Sequence, residues 1–525
     1  MAESQVLVES FIIKVRVTAL SLRLIEESLF FIIAHSSLHL FSCYTLMPLE
    51  HHGSCGFLRC PAEILNLVFG MLSTAELRAL GLVNKDLCAL VEPYLYSKID
   101  WIWRENHAPP PITLLLRTII SRPQLAAHIT SFQFQSLPAY CWEWNKFAGQ
   151  KISVPVAELD GFITFVQRTG APYSDLWIDG LSNGTPDAML ALLLAQLWNL
   201  RSLSLDYIFC QQTKMIEMLF QSAICEPAMY RLPDFKHLQT VSFQSYDDSG
   251  ALCTALRSRG QRLLGQSLVL PFFYLPDVQR ISAAIQNTDN FAWPTACLPD
   301  PSKLTSIYLA DIREANLGSL LSVTRNLQSR RWTWYYDYGV LDATVVPIIN
   351  LDGIVAALSR VRNTLADLTI FAEAPIGGDD PCYPAVKVEG SLREMVEFGK
   401  LKRLQIPLAF LVGFAQDTTK RLQDVLPRNI EYLSLTDELG LQNEDGYVEE
   451  TWPVYEWQDF AVLILLRTWL EDWRTHTPHL RGVSLVYEEL DTNQGEWPPE
   501  LRHQLTELGT QAGIQLELVE WVRRW

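Results

Sequence analysis

The hexapeptide LRSLSL at residues 200–205 carries the pattern that decides the fold. Related hexapeptides return as LQTVSF at 238–243, LTSIYL at 304–309 and IEYLSL at 430–435. Successive side chains of a β-strand point to opposite faces. The inner apolar residues of each copy are therefore expected to face a core, and the residues between them are expected to line the other face of a sheet.

Similar apolar cores recur over most of the chain after residue 101. The predicted strand cores are Ser131–Phe134, Leu176–Ile178, Leu200–Leu205, Leu238–Phe243, Leu304–Leu309, Arg331–Tyr336, Leu365–Phe371, Leu401–Ile406, Ile430–Leu435, Leu480–Val486 and Ile514–Val519. The predicted helices between them are Met189–Trp198, Met215–Ile224, Ile354–Val361, Phe460–Trp473 and Leu501–Leu508. This alternation predicts an α/β fold.

The recurrent motif resembles that of leucine-rich repeats, in which inner leucines pack a solenoid core. Residues 102–525 are therefore expected to form an irregular leucine-rich-repeat-like α/β solenoid. The repeats are degenerate, since the spacing between strands is uneven and no asparagine ladder is visible. A doubly wound sheet is the alternative. The solenoid is favoured because many units share one motif and no nucleotide-binding fingerprint occurs.

Upstream, the pattern changes to three short amphipathic helices. Pro61 suits the start of a helix, and the apolar residues that follow are spaced to form one stripe. Ser73 and Glu76 form an S-x-x-E capping box at the start of the second helix. Pro93 is expected to end the third helix. Three such helices cannot bury all of their apolar surface alone, which predicts a partner or a second domain.

The segment LRCPAEILNLVFGMLSTAELRALGLVNKDLCALVEPYLYSKIDW, residues 58–101, resembles an F-box. The residues that match the family pattern in order are Pro61, Glu63, Ile64, Leu65, Phe69, Leu72, Leu77, Leu80, Val83, Lys85, Pro93, Leu95 and Tyr96. Two positions depart from it: Cys60, where the family prefers leucine, and Leu87, where an aromatic residue is common.

The resemblance implies a non-catalytic substrate receptor of an SCF-type cullin–RING ubiquitin ligase. Its F-box would bind a Skp-type adaptor, and through it a cullin, while the solenoid would hold a protein substrate. The expected adaptor-binding residues are Pro61, Ile64, Leu65, Val68, Phe69, Leu72, Leu77, Leu80 and Val83. Two alternatives stay open: a scaffold that works outside the ligase, and a membrane-tethered receptor if residues 28–49 insert.

Substrate contacts are expected on the concave face of the sheet, chiefly on the middle strands near residues 304–338. The convex side or the long loops are the alternative. The candidate residues are Tyr308, Arg331, Tyr335 and Arg481. Positions 332, 334, 336 and 338 are all aromatic and would share one face of a strand. That face is either core or a ligand-facing patch, because tryptophan and tyrosine dominate binding hot spots.

Residues 1–57 are an N-terminal extension whose status is open. Ser28–Leu49 carries no Asp, Glu, Lys or Arg and is long enough to cross a bilayer, but it contains His35, His39 and Pro48. It does not resemble a secretory signal. We expect Met47 to be the true start and residues 1–46 to be a gene-model artefact, with a packed helical extension and a membrane anchor as the other interpretations.

Composition argues against several classes of function. The formal net charge of −17 argues against general nucleic-acid binding, and the ten cysteines lack the density of a disulfide scaffold. We therefore expect reduced thiols in a cytoplasmic or nuclear protein. The sequence contains no phosphate-binding loop, nucleophile elbow or H-E-x-x-H motif. His51, His52, Cys55 and Cys60 match no familiar zinc spacing, so neither a metal site nor a cofactor is expected.

Overall fold

The computed structural model describes most of the chain after residue 60. The described residues are 61–104, 107–137, 150–210, 213–243, 264–336, 345–374, 384–417, 419–440, 455–488 and 497–521. The N-terminal extension, with Met47 and residues 28–49, lies outside them. So do Tyr338 and the residues His51, His52, Cys55 and Cys60.

The chain divides into two compact units. The first comprises the chain up to Ile99 together with Arg122–Ser131, and the second comprises Asp100–Ser121 and everything from Phe132 onward. The first unit thus takes in a short segment, Arg122–Ser131, that the sequence analysis grouped with the second region.

The described part of the first unit contains three α-helices. They are α1 (Ala62–Met71), α2 (Thr74–Gly81) and α3 (Lys85–Ser97), and a 3-10 helix spans Pro123–His128. The predicted capping box is confirmed: the Glu76 backbone N–H donates to the Ser73 hydroxyl, and the Ser73 N–H donates to the Glu76 carboxylate at 2.7 Å. The prediction that Pro93 ends α3 is wrong. Proline forfeits one intrahelical hydrogen bond, but its fixed φ suits a helix, and α3 continues through it to Ser97.

The second unit alternates strands with helices. Its strands are β1 (Lys98–Arg104, which begins in the first unit), β2 (Ser131–Leu137), β3 (Ser202–Leu205), β4 (Thr240–Phe243), β5 (Arg280–Ala284), β6 (Ser306–Ala310), β7 (Ser329–Tyr335), β8 (Ile348–Asn350), β9 (Asp367–Glu373), β10 (Lys387–Glu389), β11 (Arg403–Pro407), β12 (Tyr432–Thr436), β13 (Gly482–Glu488) and β14 (Gln515–Trp521). Its α-helices are α4 (Ile112–Ser121), α5 (Val156–Thr169), α6 (Ser174–Ser182), α7 (Pro186–Leu194), α8 (Tyr207–Cys210), α9 (Met215–Phe220), α10 (Gln266–Val269), α11 (Glu314–Leu321), α12 (Leu351–Leu358), α13 (Leu408–Val412), α14 (Asp459–Leu470), α15 (Trp473–His476) and α16 (Pro499–Ala512). Shorter helical turns are Gln221–Cys225, Leu270–Tyr274, Ser359–Val361, Arg393–Glu397 and Leu422–Asp424.

Twelve of these strands form one sheet in chain order, β1 to β7 followed by β9 and β11 to β14, while β8 and β10 pair separately. Each strand pair whose register is described is parallel. The fold is therefore α/β, as predicted, and it contains a large, mostly parallel sheet. A doubly wound sheet reverses its strand order at a switch point. The strands of this sheet keep their chain order, which argues against that alternative.

One backbone hydrogen-bond pattern recurs from strand to strand. The carbonyl of Arg201 accepts from the N–H groups of both Gln239 and Thr240, and the carbonyl of Gln239 accepts from both Gln279 and Arg280. The pattern continues at Gln279, Thr305, Gln328, Ala366, Lys402 and Glu431. Strands β4 to β7, β9 and β11 to β13 therefore enter the sheet by the same turn. In the four copies of the motif, the first apolar residue lies two residues before the strand begins.

One face of the sheet packs against a hydrophobic core. Across the strands, one register row on this face contains Leu203, Val241, Ile281, Ile307, Arg330, Leu368, Leu404, Leu433, Val483 and Leu516. Every member is apolar except Arg330. The inner positions of the motif thus face the core, as predicted.

Some predicted elements differ from the structure. Leu176–Ile178 was expected to be a strand core but lies in the helix Ser174–Ser182. Trp177 and Leu181, four residues apart, are its buried residues, which is helical spacing. The strand Arg280–Ala284 was not predicted, since alanines occupy positions where the motif has larger apolar side chains.

Side chains also join neighbouring turns where the strands end. The buried Asn287 amide donates to the Asp311 carbonyl at 2.7 Å, and its oxygen accepts from the Arg313 N–H at 2.7 Å. The Arg313 guanidinium donates to the carbonyls of Val346 and Ile348. These bonds satisfy buried backbone groups from one turn to the next, although the sequence shows no regular asparagine ladder.

Candidate functional site

The three-helix unit has a packed apolar core. Its buried members are Leu65, Val68, Phe69, Leu72, Leu77, Leu80, Leu87 and Val91. Val83 and Tyr94 pack against them, and the Phe69 and Tyr94 rings meet edge to face with centroids 5.4 Å apart. The side chains that α1 contributes to this core lie on one side of the helix, and the neighbouring side is exposed.

That neighbouring side of α1 is apolar and exposed. We name Ile64, Leu67 and Met71 the α1 stripe, since positions i, i+3 and i+7 share one helix face. Leu67 is 60% exposed and Ile64 is 49% exposed. Leu82, which follows α2, is 83% exposed. The α1 stripe is therefore an exposed apolar surface beside a packed core.

The structure separates the nine expected adaptor-binding residues into two groups. Pro61 and Ile64 are exposed, and Val83 is half-buried. The other six are buried and fill the core: Leu65, Val68, Phe69, Leu72, Leu77 and Leu80. These six side chains pack the core of their own unit, and their contact with an adaptor stays a prediction. Leu67 and Met71 are surface residues that the sequence analysis missed, because helical spacing reveals a stripe but not which stripe is turned inward.

The sheet of the second unit presents a polar face opposite its core face. We name as the polar face two register rows of strands β3 to β13. One row contains Ser202, Thr240, Arg280, Ser306, Ser329, Asp367, Arg403, Tyr432 and Gly482. The other contains Ser204, Ser242, Ser282, Tyr308, Arg331, Thr369, Gln405, Ser434 and Ser484.

Arg331 is stacked between two aromatic rings on this face. Its guanidinium carbon lies 4.7 Å from the Tyr308 ring centroid and 4.5 Å from that of Phe371. All three side chains are half-buried, which leaves part of each accessible. The structure thus brings together two predicted substrate-binding residues, Tyr308 and Arg331. Phe371 was missed, although the alternation of β9 places it on the same face.

The other two predicted substrate-binding residues lie apart from this cluster. Tyr335 shares the face of Arg331 but is 5% exposed. Arg481 precedes β13, and its guanidinium lies 3.6 Å from the Glu431 carboxylate, which Lys402 also approaches at 2.9 Å. These cations lower the pKa of Glu431. Arg481 therefore belongs to an ion-pair network at the amino-terminal ends of strands β11 to β13.

The aromatic run of β7 is divided between the two faces. Trp332 and Trp334 are fully buried on the core face, and the Trp332 indole donates to the Ile312 carbonyl at 2.9 Å. Trp334 stacks on the Arg313 guanidinium at 4.8 Å. The core interpretation of positions 332 and 334 is confirmed, and the half-buried Tyr336 lies beyond the strand.

Acidic residues gather at the carboxyl ends of β9 and β12. Desolvation raises the pKa of Glu438 to about 8; the Thr436 hydroxyl, which donates to it at 2.6 Å, opposes this, and Asp437 and Glu373 reinforce it. Among the described residues, no group of three or more His, Cys, Asp or Glu side chains is arranged to hold a metal ion. The consequence of this acidic cluster that the structure shows is the raised pKa of Glu438.

A cavity of about 640 Å³ lies among the helical turns of the second unit. Its lining mixes acidic and basic side chains, including Asp352, Glu394, Arg393, Arg428 and His476. The Asp352 carboxylate accepts from the Ser391 N–H at 2.9 Å.

Within the described ranges, no helix combines the length and the apolar character needed to span a membrane. Comparison with known proteins gives no assignment: no protein-family model matches this sequence, and no curated protein matches it significantly.

Proposed function

We propose that this chain is the substrate-binding subunit of an SCF-type cullin–RING ubiquitin ligase. Residues 58–101 serve as an F-box that binds a Skp-type adaptor. The α1 stripe carries the proposal, because its apolar side chains are exposed beside a core that is already packed. Burying such side chains against an adaptor contributes roughly 1.5–3 kcal/mol each.

The second unit is proposed to be an irregular leucine-rich-repeat-like solenoid that holds the substrate. Strands in chain order, entered by one recurrent turn, support this interpretation. The polar face is the proposed substrate surface, since partner-binding surfaces combine polar groups with aromatic residues and arginine. The chain itself performs no bond chemistry and acts by raising the concentration of substrate near the ligase.

The test is adaptor co-purification with paired variants. Ile64→Asp with Leu67→Asp places two charges on the α1 stripe and should abolish co-purification with the Skp-type adaptor and its cullin. The matched control is Leu114→Asp with Leu176→Asp, which changes two exposed helical leucines of the second unit and should leave binding intact. Normal adaptor binding by the α1 stripe variant, with an unchanged circular dichroism spectrum, would overturn the proposal.

A further inference from the structure

The connection from β5 to β6 is a long loop of irregular structure. All of residues 285–305 are described, and none of them lies in a helix. Parallel strands are usually joined by a crossover that contains a helix. Loops longer than about 15 residues without secondary structure are uncommon in compact domains and usually have a function. This loop is therefore a candidate for a role of its own.

Side chains on both sides of the loop hold it in place. The Gln266 amide, which precedes the loop, donates to the Thr288 hydroxyl at 3.1 Å. The Asn316 amide, which follows the loop, donates to the Thr288 carbonyl at 3.0 Å. The Tyr274 hydroxyl donates to the Cys297 carbonyl at 2.9 Å. Because these bonds fix the loop in advance, a ligand that binds it costs little additional conformational entropy.

Three aromatic rings surround Trp293 in the middle of the loop. The centroid of the Trp293 ring lies 5.3 Å from that of Phe291, 5.5 Å from that of Phe273 and 6.3 Å from that of Tyr274. Phe273 is buried, whereas the other three side chains are half-buried and reach the surface. We name Tyr274, Phe291 and Trp293 the aromatic site. The planes of Phe291 and Tyr274 each stand at 84° to that of Trp293, so the three rings do not form one flat surface.

The aromatic site also offers one hydrogen-bond donor. The Trp293 indole nitrogen is not enclosed, and it has no hydrogen-bond partner among the described residues. The Tyr274 hydroxyl is already used, since it donates to the Cys297 carbonyl and accepts from the Thr295 hydroxyl at 3.0 Å. An indole N–H can only donate. A ligand that fits this site therefore brings a carbonyl acceptor together with apolar surface.

A proline-rich segment has both of these properties. Proline carries an apolar ring and no backbone N–H, and the polyproline II helix has no internal hydrogen bonds, so its carbonyls are available to a donor. Such segments bind to aromatic-lined surfaces. An amphipathic helix is the alternative apolar ligand, but its carbonyls are bonded within the helix. It would leave the Trp293 N–H without an acceptor, so the proline-rich segment is favoured.

We propose that the aromatic site binds a proline-rich, extended segment of a partner protein. Trp293 donates to a carbonyl of that segment, while the Phe291 and Tyr274 rings pack against its proline side chains. This inference goes beyond the proposed function and does not depend on adaptor binding. No residue of the aromatic site belongs to the α1 stripe or to the polar face, so each surface can be tested by itself.

The probe is fluorescein-labelled decaproline, and its binding to the full chain is measured by fluorescence anisotropy. A labelled peptide of alternating glycine and serine has the same length without the proline rings. A labelled helical peptide of alanine, leucine and lysine represents the amphipathic alternative. Only decaproline should bind, and rising salt should leave its binding unchanged because the proposed contacts involve no ion pair.

Three variants locate the site. Trp293→Phe keeps an aromatic ring but removes the indole N–H, and should weaken decaproline binding about three- to tenfold, the effect of one lost hydrogen bond. Phe291→Leu keeps the apolar character but loses the flat ring, and should also weaken binding. The matched control is Trp198→Phe, which removes the N–H from a tryptophan that is 50% exposed outside the loop. It should bind as the unchanged chain does.

Thermal unfolding and adaptor co-purification are measured on the same preparations, and both should be unchanged in all three variants. Equal binding of decaproline and the glycine–serine peptide, or tighter binding of the helical peptide, would overturn this inference. So would undiminished binding by both Trp293→Phe and Phe291→Leu, or an equal loss in Trp198→Phe. Failure of decaproline to bind a chain that still captures the adaptor removes this inference and leaves the proposed function standing.

Discussion

Arg330 is a charged residue buried among apolar ones. It occupies an apolar row of the sheet core, is 1% exposed, and its three guanidinium nitrogens have no hydrogen-bond partner among the described residues. Desolvation lowers the pKa of Arg330 to about 9. Its described compensation is the Trp332 ring, 5.7 Å away. A buried cation without an acceptor is costly, so this position is a weak point of the fold.

Replacing Arg330 with a residue of similar length but no charge should stabilise the protein. We expect Arg330→Met to raise the free energy of unfolding by about 1–4 kcal/mol, the range seen when apolar residues replace buried charges. The Arg330 side chain is charged in the fold below about pH 9, so its burial destabilises the folded state at neutral pH. The whole increase in the free energy of unfolding on Arg330→Met should therefore be seen at neutral pH. Urea unfolding measures it, with the exposed Arg325→Met as the control. A loss of stability in Arg330→Met would show that the guanidinium is paired.

Glu438 should make stability depend on pH. Its pKa is raised in the fold to about 8 from 4.5, so the folded chain holds this proton more tightly than the unfolded chain does. Its contribution to stability is therefore full below about pH 4.5 and is lost as pH rises through 8. In Glu438→Gln, the free energy of unfolding measured with denaturant should change less between pH 5 and pH 8 than in the unchanged chain. An unchanged pH profile in this variant would exclude Glu438 as its source.

Helix α1 has a buried face that packs the core and an adjacent apolar face, the α1 stripe, that is exposed. Leu65→Ala should lower the free energy of unfolding by about 2–5 kcal/mol, because it empties part of a packed core. Ile64→Ala should change stability by less than about 0.5 kcal/mol, because Ile64 is exposed. Thermal unfolding of the two variants checks this. Equal losses would mean that Ile64 is also part of the core.

Asn287 links the turns that follow β5 and β6. Asn287→Ala leaves the Asp311 carbonyl and the Arg313 N–H without this partner, and each buried group left unsatisfied costs about 1–3 kcal/mol. Chemical denaturation should therefore give a lower unfolding midpoint than for the exposed Asn290→Ala. If the two variants unfold alike, the Asn287 bonds do not stabilise the sheet.

The sequence predicted most strands because each carries apolar residues at fixed positions, and these positions fix which face is buried. Leu176–Ile178 was predicted to be a strand because three consecutive apolar residues are too few to distinguish strand from helix periodicity. In the structure, Trp177 and Leu181 are buried on the same face of a helix, one turn apart. The stacking of Arg331 on Phe371 depends on register between strands distant in sequence, which no local pattern reports.

The whole molecule carries two surfaces of different chemistry. The α1 stripe is apolar and suits an adaptor that buries it, while the polar face carries hydroxyl groups and the stacked Arg331. A substrate receptor needs one constant surface for the ligase and one selective surface for its substrate. Adaptor binding by the α1 stripe comes first in the proposed function, because without it substrate binding would not lead to ubiquitin transfer.

Hydrogen–deuterium exchange of the full chain, with and without the Skp-type adaptor, tests that claim most directly. We expect slower exchange in α1 and in the residues around Leu82 when the adaptor is present, and unchanged exchange in strands β6, β7 and β9. Protection confined to the second unit, or no protection of α1 at saturating adaptor, would contradict it.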